Sequence, residues 1–255
     1  MLEYLFGMSN LQKILDSFSI QDTLNPKVWD NPNDIKKASL KEKVRVALLK
    51  IAKVFIDDLG DDVPMKDIYL MGSLANYNWS EYSDFDLHVL IDFKKYGKEE
   101  ALYEELFDLK KKLFNLQHDI KIFGFDVELY AQPLDKEAHS DGVFSVLKDK
   151  WVSTPKKTHK NINNDVLKKK ITSWTDKIDN AVETANKEGN VEILKKLKDK
   201  LKDYRQSGLR KEGEFSYENL VFKYLRRSGH IEKLFDTRGK LTDKKLSIES
   251  KLESF

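Results

Sequence analysis

Apolar residues recur along the chain in two rhythms, and the change of rhythm divides it. Near the start, Leu2, Leu5, Phe6, Leu11, Ile14, Leu15 and Phe18 follow the spacing of an amphipathic helix over residues 1–20. Val44, Ala47, Leu48, Ile51, Ala52, Phe55 and Ile56 repeat it over about 40–59, with Ser39 as N-cap and Gly60 as the stop. The rhythm then shortens. Ile68 to Met71 and Leu87 to Ile91 are compact apolar runs bounded by Gly, Asn and Ser, the pattern of two strands. Leu102, Leu106, Leu109 and Leu113 form the expected inward face of a helix over 98–115. Residues 120–131 read as a strand or a tight pair of strands around Gly124, and 142–147 as a short strand. After about 156 the helical period returns. Helices are predicted over 164–187, 191–206 and 215–233, with Gly189-Asn190, Ser207-Gly208 and Gly229 as breaks and a charged, fraying tail from Leu234. The pattern therefore predicts a 1–20 helix, an α/β domain over 21–155 and a helical domain over 156–255.

The chemistry concentrates between the first two strands. The first ends in Met71-Gly72-Ser73, and after a ten-residue spacer the second opens with Asp84-Phe85-Asp86. Alternation along a strand turns Asp84, Asp86 and His88 to one face. Two carboxylates side by side repel, and a hard divalent cation with oxygen ligands relieves that repulsion. Gly72 lets a group approach the backbone, and Ser73 offers a hydroxyl and an N–H to an anion. The spacer is expected to begin as a helical turn with N–H groups aimed at phosphate. An anion cradle beside a cation cage suits phosphoryl or nucleotidyl transfer.

Met71-Gly72-Ser73 followed by Asp84-Phe85-Asp86-Leu87 resembles the signature of the DNA polymerase beta-like nucleotidyltransferase superfamily, over roughly Leu24 to Pro155. The resemblance implies an α/β (α+β) fold with a small mixed sheet flanked by helices. It implies transfer of a nucleoside monophosphate from an NTP to an acceptor hydroxyl, with release of pyrophosphate and Mg²⁺ or Mn²⁺ as cofactor. Asp84 would bridge two metal ions and Asp86 complete the cage, while Gly72 and Ser73 hold the β- and γ-phosphates. The family also carries a third acidic residue on a neighbouring strand. Glu128, in Val127-Glu128-Leu129, matches best, and Asp126 on the same face is its rival; many members have Asp here. Asn25-Pro26-x-x-Trp29 and Asp86-Leu87-His88 add a likeness to nucleotidyltransferase-like proteins of bacteriophages. The acceptor stays open among an RNA end, a protein, a small molecule and a nucleotide. The alternative is a catalytically silent nucleic-acid-binding or virion-associated module on the same fold.

Other residues have bland readings beside functional ones. His88 is a substrate contact or base, or a satisfied core histidine; His139 lies in a polar loop. Asn76, Tyr77, Asn78 and Trp79 either stack a base or pack the core. Lys223, Arg226 and Arg227 share a helix face and either clamp a polyanion or are ordinary solvated charge.

Composition adds partners and compartment. Of the 255 residues 40% are hydrophobic and 35% charged, and no apolar run is long enough to cross a bilayer. There is no cysteine, which excludes disulfides, thiolate zinc sites and cysteine nucleophiles. With an early Glu3 and no basic start, the N-terminus is a poor signal peptide, so the expected location is the cytoplasm. Residues 1–155 hold 20 Lys+Arg against 27 Asp+Glu, and residues 156–255 hold 25 against 16. An acidic half with the carboxylates joined to a basic half fits an NTP substrate and RNA or another polyanion held by the second part.

Overall fold

The computed structural model describes residues 10–60, 62–137, 140–157 and 162–247. The chain forms two compact units, Ser19–His159 and, together, Met1–Phe18 with Lys160–Phe255.

In the first unit a two-residue ladder, β1 (Trp29–Asp30) with β2 (Ser39–Leu40), precedes helix α2 (Glu42–Leu59). Ser39 is therefore not the helix cap: it is paired in β2, and Lys41 occupies the N-cap position without a side-chain bond. Val44, Leu48, Ala52, Phe55 and Leu59 bury the apolar face, and Gly60 ends the helix at φ 132. The main sheet consists of β3 (Met65–Met71), β4 (Phe85–Ile91), β5 (Lys121–Ile122), β6 (Phe125–Pro133), β7 (Val143–Ser145) and β8 (Lys150–Ser153). Their order is β5-β6-β4-β3-β7-β8, with β4 and β6 parallel and every other pair antiparallel, so the sheet is mixed. The parallel pair is joined through helix α3 (Glu100–Gln117), as parallel neighbours require a crossover. Phe123 and Gly124, both at positive φ, make the two-residue turn between β5 and β6.

Helix α3 corrects one expectation. Its buried residues are Phe107 and Phe114, whereas Leu102, Leu106, Leu109 and Leu113 are 63%, 39%, 55% and 53% exposed. Two apolar stripes with the same period run along this helix, and the aromatic one faces inward. Phe114 meets Phe55 edge-on at 5.2 Å and Phe107 meets Phe93 at 5.5 Å. A phenylalanine removes more apolar surface from water per position, and edge contacts add to that.

In the second unit, residues 10–16 are helical (α1), with Ile14, Leu15 and Phe18 buried; Leu2, Leu5 and Phe6 of the predicted 1–20 helix lie outside the described residues. Helices α4 (Asn164–Glu188), α5 (Val191–Glu212), α6 (Tyr217–Arg227) and α7 (His230–Leu246) complete it. Asn163 and Asn190 cap α4 and α5 by accepting from backbone N–H groups. Ser207-Gly208 is not a break, because α5 runs through it. A Cβ at Gly208 would lie 2.5 Å from Cβ of Glu218 and 2.7 Å from Oγ of Ser216, so glycine serves close packing there. The helix predicted over 215–233 is two helices, divided at Gly229 with φ 79. The tail from Leu234 expected to fray is helical to Leu246, and residues 248–255 lie outside the described residues. No described helix is long and apolar enough to cross a membrane.

Candidate active site

β3 ends at Met71, which pairs with Asp86 across the antiparallel ladder. Gly72 follows at φ 72 and ψ −162, a conformation reserved in practice for glycine. A Cβ built there would stand 1.7 Å from Oδ2 of Asp86 and 2.7 Å from its Cγ, so the absent side chain is the space the carboxylate occupies. Ser73–Ala75 then form a single 3₁₀ turn in which the N–H groups of Ala75 and Asn76 bond back to Gly72 and Ser73. Oγ of Ser73 donates to Oγ of Ser83 at 2.7 Å, which ties the two ends of the spacer together.

Asp84 lies one residue before β4, and Asp86 lies within it. On the other side β6 runs parallel with Asp86 opposite Glu128. The three carboxylates are half-buried, and one oxygen from each lies within 4.8 Å of the others. At an effective dielectric of about 20, each pair at that distance repels by about 3 kcal/mol. Three crowded oxygen donors beside a side-chain-free backbone turn fit a hard divalent cation. Asp126 is placed elsewhere: it is exposed and ion-paired with Lys121 across the β5–β6 hairpin.

Sequence reasoning missed what holds Glu128. The hydroxyl of Tyr130 donates to Oε2 of Glu128 at 2.6 Å. Burial first, then the Asp86 charge and the bond to Glu128, raise the Tyr130 pKa, so the phenol stays a donor. Its ring stacks on His88 at 4.5 Å, and the Lys111 ammonium lies 5.2 Å from the ring centroid. The signal was available as Tyr130 at i+2 from Glu128, on the same strand face. Asn115 of α3 adds a second support. Its side-chain amide donates to the Leu129 carbonyl at 2.9 Å and accepts from the Leu129 N–H at 3.1 Å, replacing a strand neighbour beside Glu128. An open cleft of about 400 Å³ between the end of α3 and β6 borders Glu128 and is lined also by His118, Asp119 and Asp126.

His88 is half-buried on β4, with both its ring face and Nδ1 engaged. Its Nδ1 lies 2.7 Å from Oε1 of Gln132, whose Nε2 donates to the Lys136 carbonyl, so Nδ1 carries the proton. Burial lowers its pKa to about 4, against the pull of the Gln132 bond and with help from Lys111 and Lys136, leaving a neutral imidazole. Of the spacer residues, Tyr77 is buried, and Trp79 donates its indole N–H to the Thr23 carbonyl at 2.8 Å. Asn76 holds the Gly72 carbonyl and the Gly142 N–H, clamping the turn to β7. Trp29, fully buried against Trp151 and Phe144, donates to the Leu74 carbonyl at 2.8 Å and supports the same turn. His139 lies outside the described residues.

In the helical unit, Lys223 lies 3.7 Å from Glu214, and burial lowers its pKa. Arg227 donates to Oγ of Ser17 at 2.6 Å and covers the Phe18 ring, while Arg226 is exposed. Two of the three cations on that helix face are thus engaged within their own unit.

Tyr130→Phe keeps the ring stacked on His88 and removes only the donor to Glu128. Divalent-metal affinity, measured by calorimetry with Mn²⁺, is expected to fall about 10- to 100-fold, the usual cost of losing an outer-sphere partner. The melting temperature should move by a few degrees at most, since one hydrogen bond contributes about 1 kcal/mol.

Residues 52–144, from within α2 to β7, match the family model described as a nucleotidyltransferase domain. No curated protein and no solved structure matches the chain. Members of this family typically use divalent metals, and the Asp84, Asp86 and Glu128 cluster can hold one. The matched segment contains Gly72, Ser73 and all three clustered carboxylates, and the chain therefore carries a nucleotidyltransferase domain of the polymerase beta-like superfamily.

Proposed function

We propose that the protein is a metal-dependent nucleotidyltransferase that moves a nucleoside monophosphate from an NTP to an acceptor hydroxyl. The observation that carries this reading is the convergence of Asp84, Asp86 and Glu128 beside Gly72. The acceptor oxygen attacks the α-phosphorus and its proton passes to solvent. The bond from that phosphorus to the bridging oxygen breaks, and pyrophosphate leaves. Asp84, Asp86 and Glu128 would hold Mg²⁺ or Mn²⁺, which when bound would supply charge neutralisation at the triphosphate and a lowered pKa for the acceptor hydroxyl.

The chain's own residues do the positioning. Gly72, whose missing Cβ makes room for the Asp86 carboxylate, and Ser73 are proposed to receive the β- and γ-phosphates, and Ser73 can redirect its hydroxyl proton from Ser83 to a phosphate oxygen. Tyr130 and Asn115 hold Glu128 and its strand on the acceptor side, where the cleft beside Glu128 offers room for the acceptor. The basic helical unit, with 25 Lys+Arg against 16 Asp+Glu over residues 156–255, is proposed to retain RNA or another polyanion. A chain without cysteine suits the reducing cytoplasm.

The test is incubation with each labelled NTP, Mg²⁺ and pooled RNA or protein acceptors, followed by product analysis. Label is expected in one acceptor class, and EDTA should abolish it. Glu128→Gln, which keeps size and hydrogen bonding but loses charge, should lower turnover by roughly two orders of magnitude or more, on the scale of one lost electrostatic group. Asp126→Asn should leave turnover within a few-fold of wild type. The reverse ranking would move the third ligand to Asp126.

A further inference from the structure

The leucines that α3 leaves exposed are not scattered. Leu102, Leu106, Leu109, Leu113 and Leu116 are 63%, 39%, 55%, 53% and 85% exposed, and they recur at intervals of four, three, four and three residues. That is the seam of a helix that packs on another helix, spanning about 21 Å of its length. The seam is separate from the core face, which Phe107 and Phe114 occupy.

Charge selects what covers it. From Glu100 to Asp108 the helix carries Glu100, Glu104, Glu105 and Asp108 and no cation; from Leu109 to Gln117 it carries Lys110, Lys111 and Lys112 and no acid. Of these, Lys110 donates to the Asp58 and Leu59 carbonyls and Lys111 lies over Tyr130, which leaves Lys112, paired with Asp108, as the exposed cation. A parallel neighbour of the same sequence would set acid on acid and base on base. An antiparallel one sets the acidic half of each helix on the basic half of the other, with opposed helix dipoles. Glu105 and Lys112 lie one heptad apart on the same flank of the seam. A two-fold axis near Leu109 brings Glu105 of one copy to Lys112 of the second. We propose that the protein forms a homodimer through antiparallel packing of α3 on α3 of a second copy. This surface is independent of the transfer reaction proposed above, and its failure would leave that reading untouched.

One helix pair is a small interface, so association in the micromolar range is expected. Sedimentation velocity on the full chain, from about 1 to 200 µM, spans that range. The mass should rise with concentration from 29.8 kDa toward twice that value. Leu106→Glu with Leu113→Glu should weaken dimerisation at least about 100-fold, the cost of placing four charges in an apolar seam. Thermal melting reports whether that variant is folded, as expected for changes at exposed sites. The chain has no cysteine, so introduced ones report orientation without background. Leu109→Cys should crosslink to itself on mild oxidation, and Leu102→Cys alone should not. A mixture of Leu102→Cys and Leu116→Cys should give the mixed dimer. A monomer at every concentration, a dimer that survives the paired glutamates, or efficient self-crosslinking of Leu102→Cys would each overturn the proposal.

Discussion

Asp84→Ala combined with Asp86→Ala is expected to lower nucleotidyl transfer by roughly three orders of magnitude or more, while the protein melts at or slightly above the wild-type temperature. The two halves of this expectation have separate causes. The loss follows from removing two of the three oxygen donors that lie within 4.8 Å of one another, which leaves Glu128 as the sole carboxylate of the cluster. With two of the three carboxylates gone, the cluster keeps too little charge and too few oxygen donors to position a hard divalent ion on the substrate. The retained stability follows from the mutual repulsion of three half-buried carboxylates in the metal-free protein, weakened by solvent and relieved by the substitution. Product formation with labelled NTP and scanning calorimetry without metal measure the two separately. Transfer near the wild-type rate in the double variant would remove these residues from the chemistry.

Gly72→Ala should also lower transfer, by about 10²- to 10³-fold, but here stability falls with it. A non-glycine residue at φ 72 and ψ −162 is strained by about 1–3 kcal/mol, and the new Cβ collides with the Asp86 carboxylate at 1.7 Å. Either the carboxylate leaves the cluster or the turn shifts; both spoil the cage. The melting point should drop by several degrees. A third variant separates collision from strain. With Asp86→Ala in the same chain the nearest remaining atom is Cβ of residue 86, at 3.2 Å, so part of the lost stability should return while activity does not. If Gly72→Ala binds Mn²⁺ and NTP as the wild type does, glycine at this position is not the space that Asp86 needs.

Much of this arrangement is legible from local pattern. Gly72-Ser73 and Asp84-x-Asp86 are neighbours in a β3–β4 pair, and short apolar runs with polar boundaries mark such a pair without any long-range information. What is not local is harder to read. Parity along β6 turns Asp126 and Glu128 the same way, so alternation cannot separate them. The parallel register with β4 sets Glu128 opposite Asp86, and the β5 hairpin gives Asp126 a lysine. On α3 the leucine and phenylalanine stripes have equal claims to the core by period alone, and only packing on Phe55 and Phe93 decides between them. Ser39 before an apolar run looks like a cap until β1 pairs with it, and Gly208 looks like a break until α6 packs against it. Each of these errors reads a local signal whose meaning a distant partner sets.

The parallel pairing of β4 and β6 is also expected to order the assembly of the site in time. Gly72, Ser73, Asp84 and Asp86 come together when the antiparallel β3–β4 pair closes, over a short loop. Glu128 lies roughly 40 residues beyond Asp86, and it reaches its register only after the α3 crossover has closed a loop whose entropic cost is larger. In metal-free solvent that late step also brings a third negative charge against two already in place. Refolding should therefore end in a slow phase that registers β6 and that millimolar Mg²⁺ accelerates. Glu128→Gln, with the charge gone, should refold through the same late phase at a rate that the ion does not change.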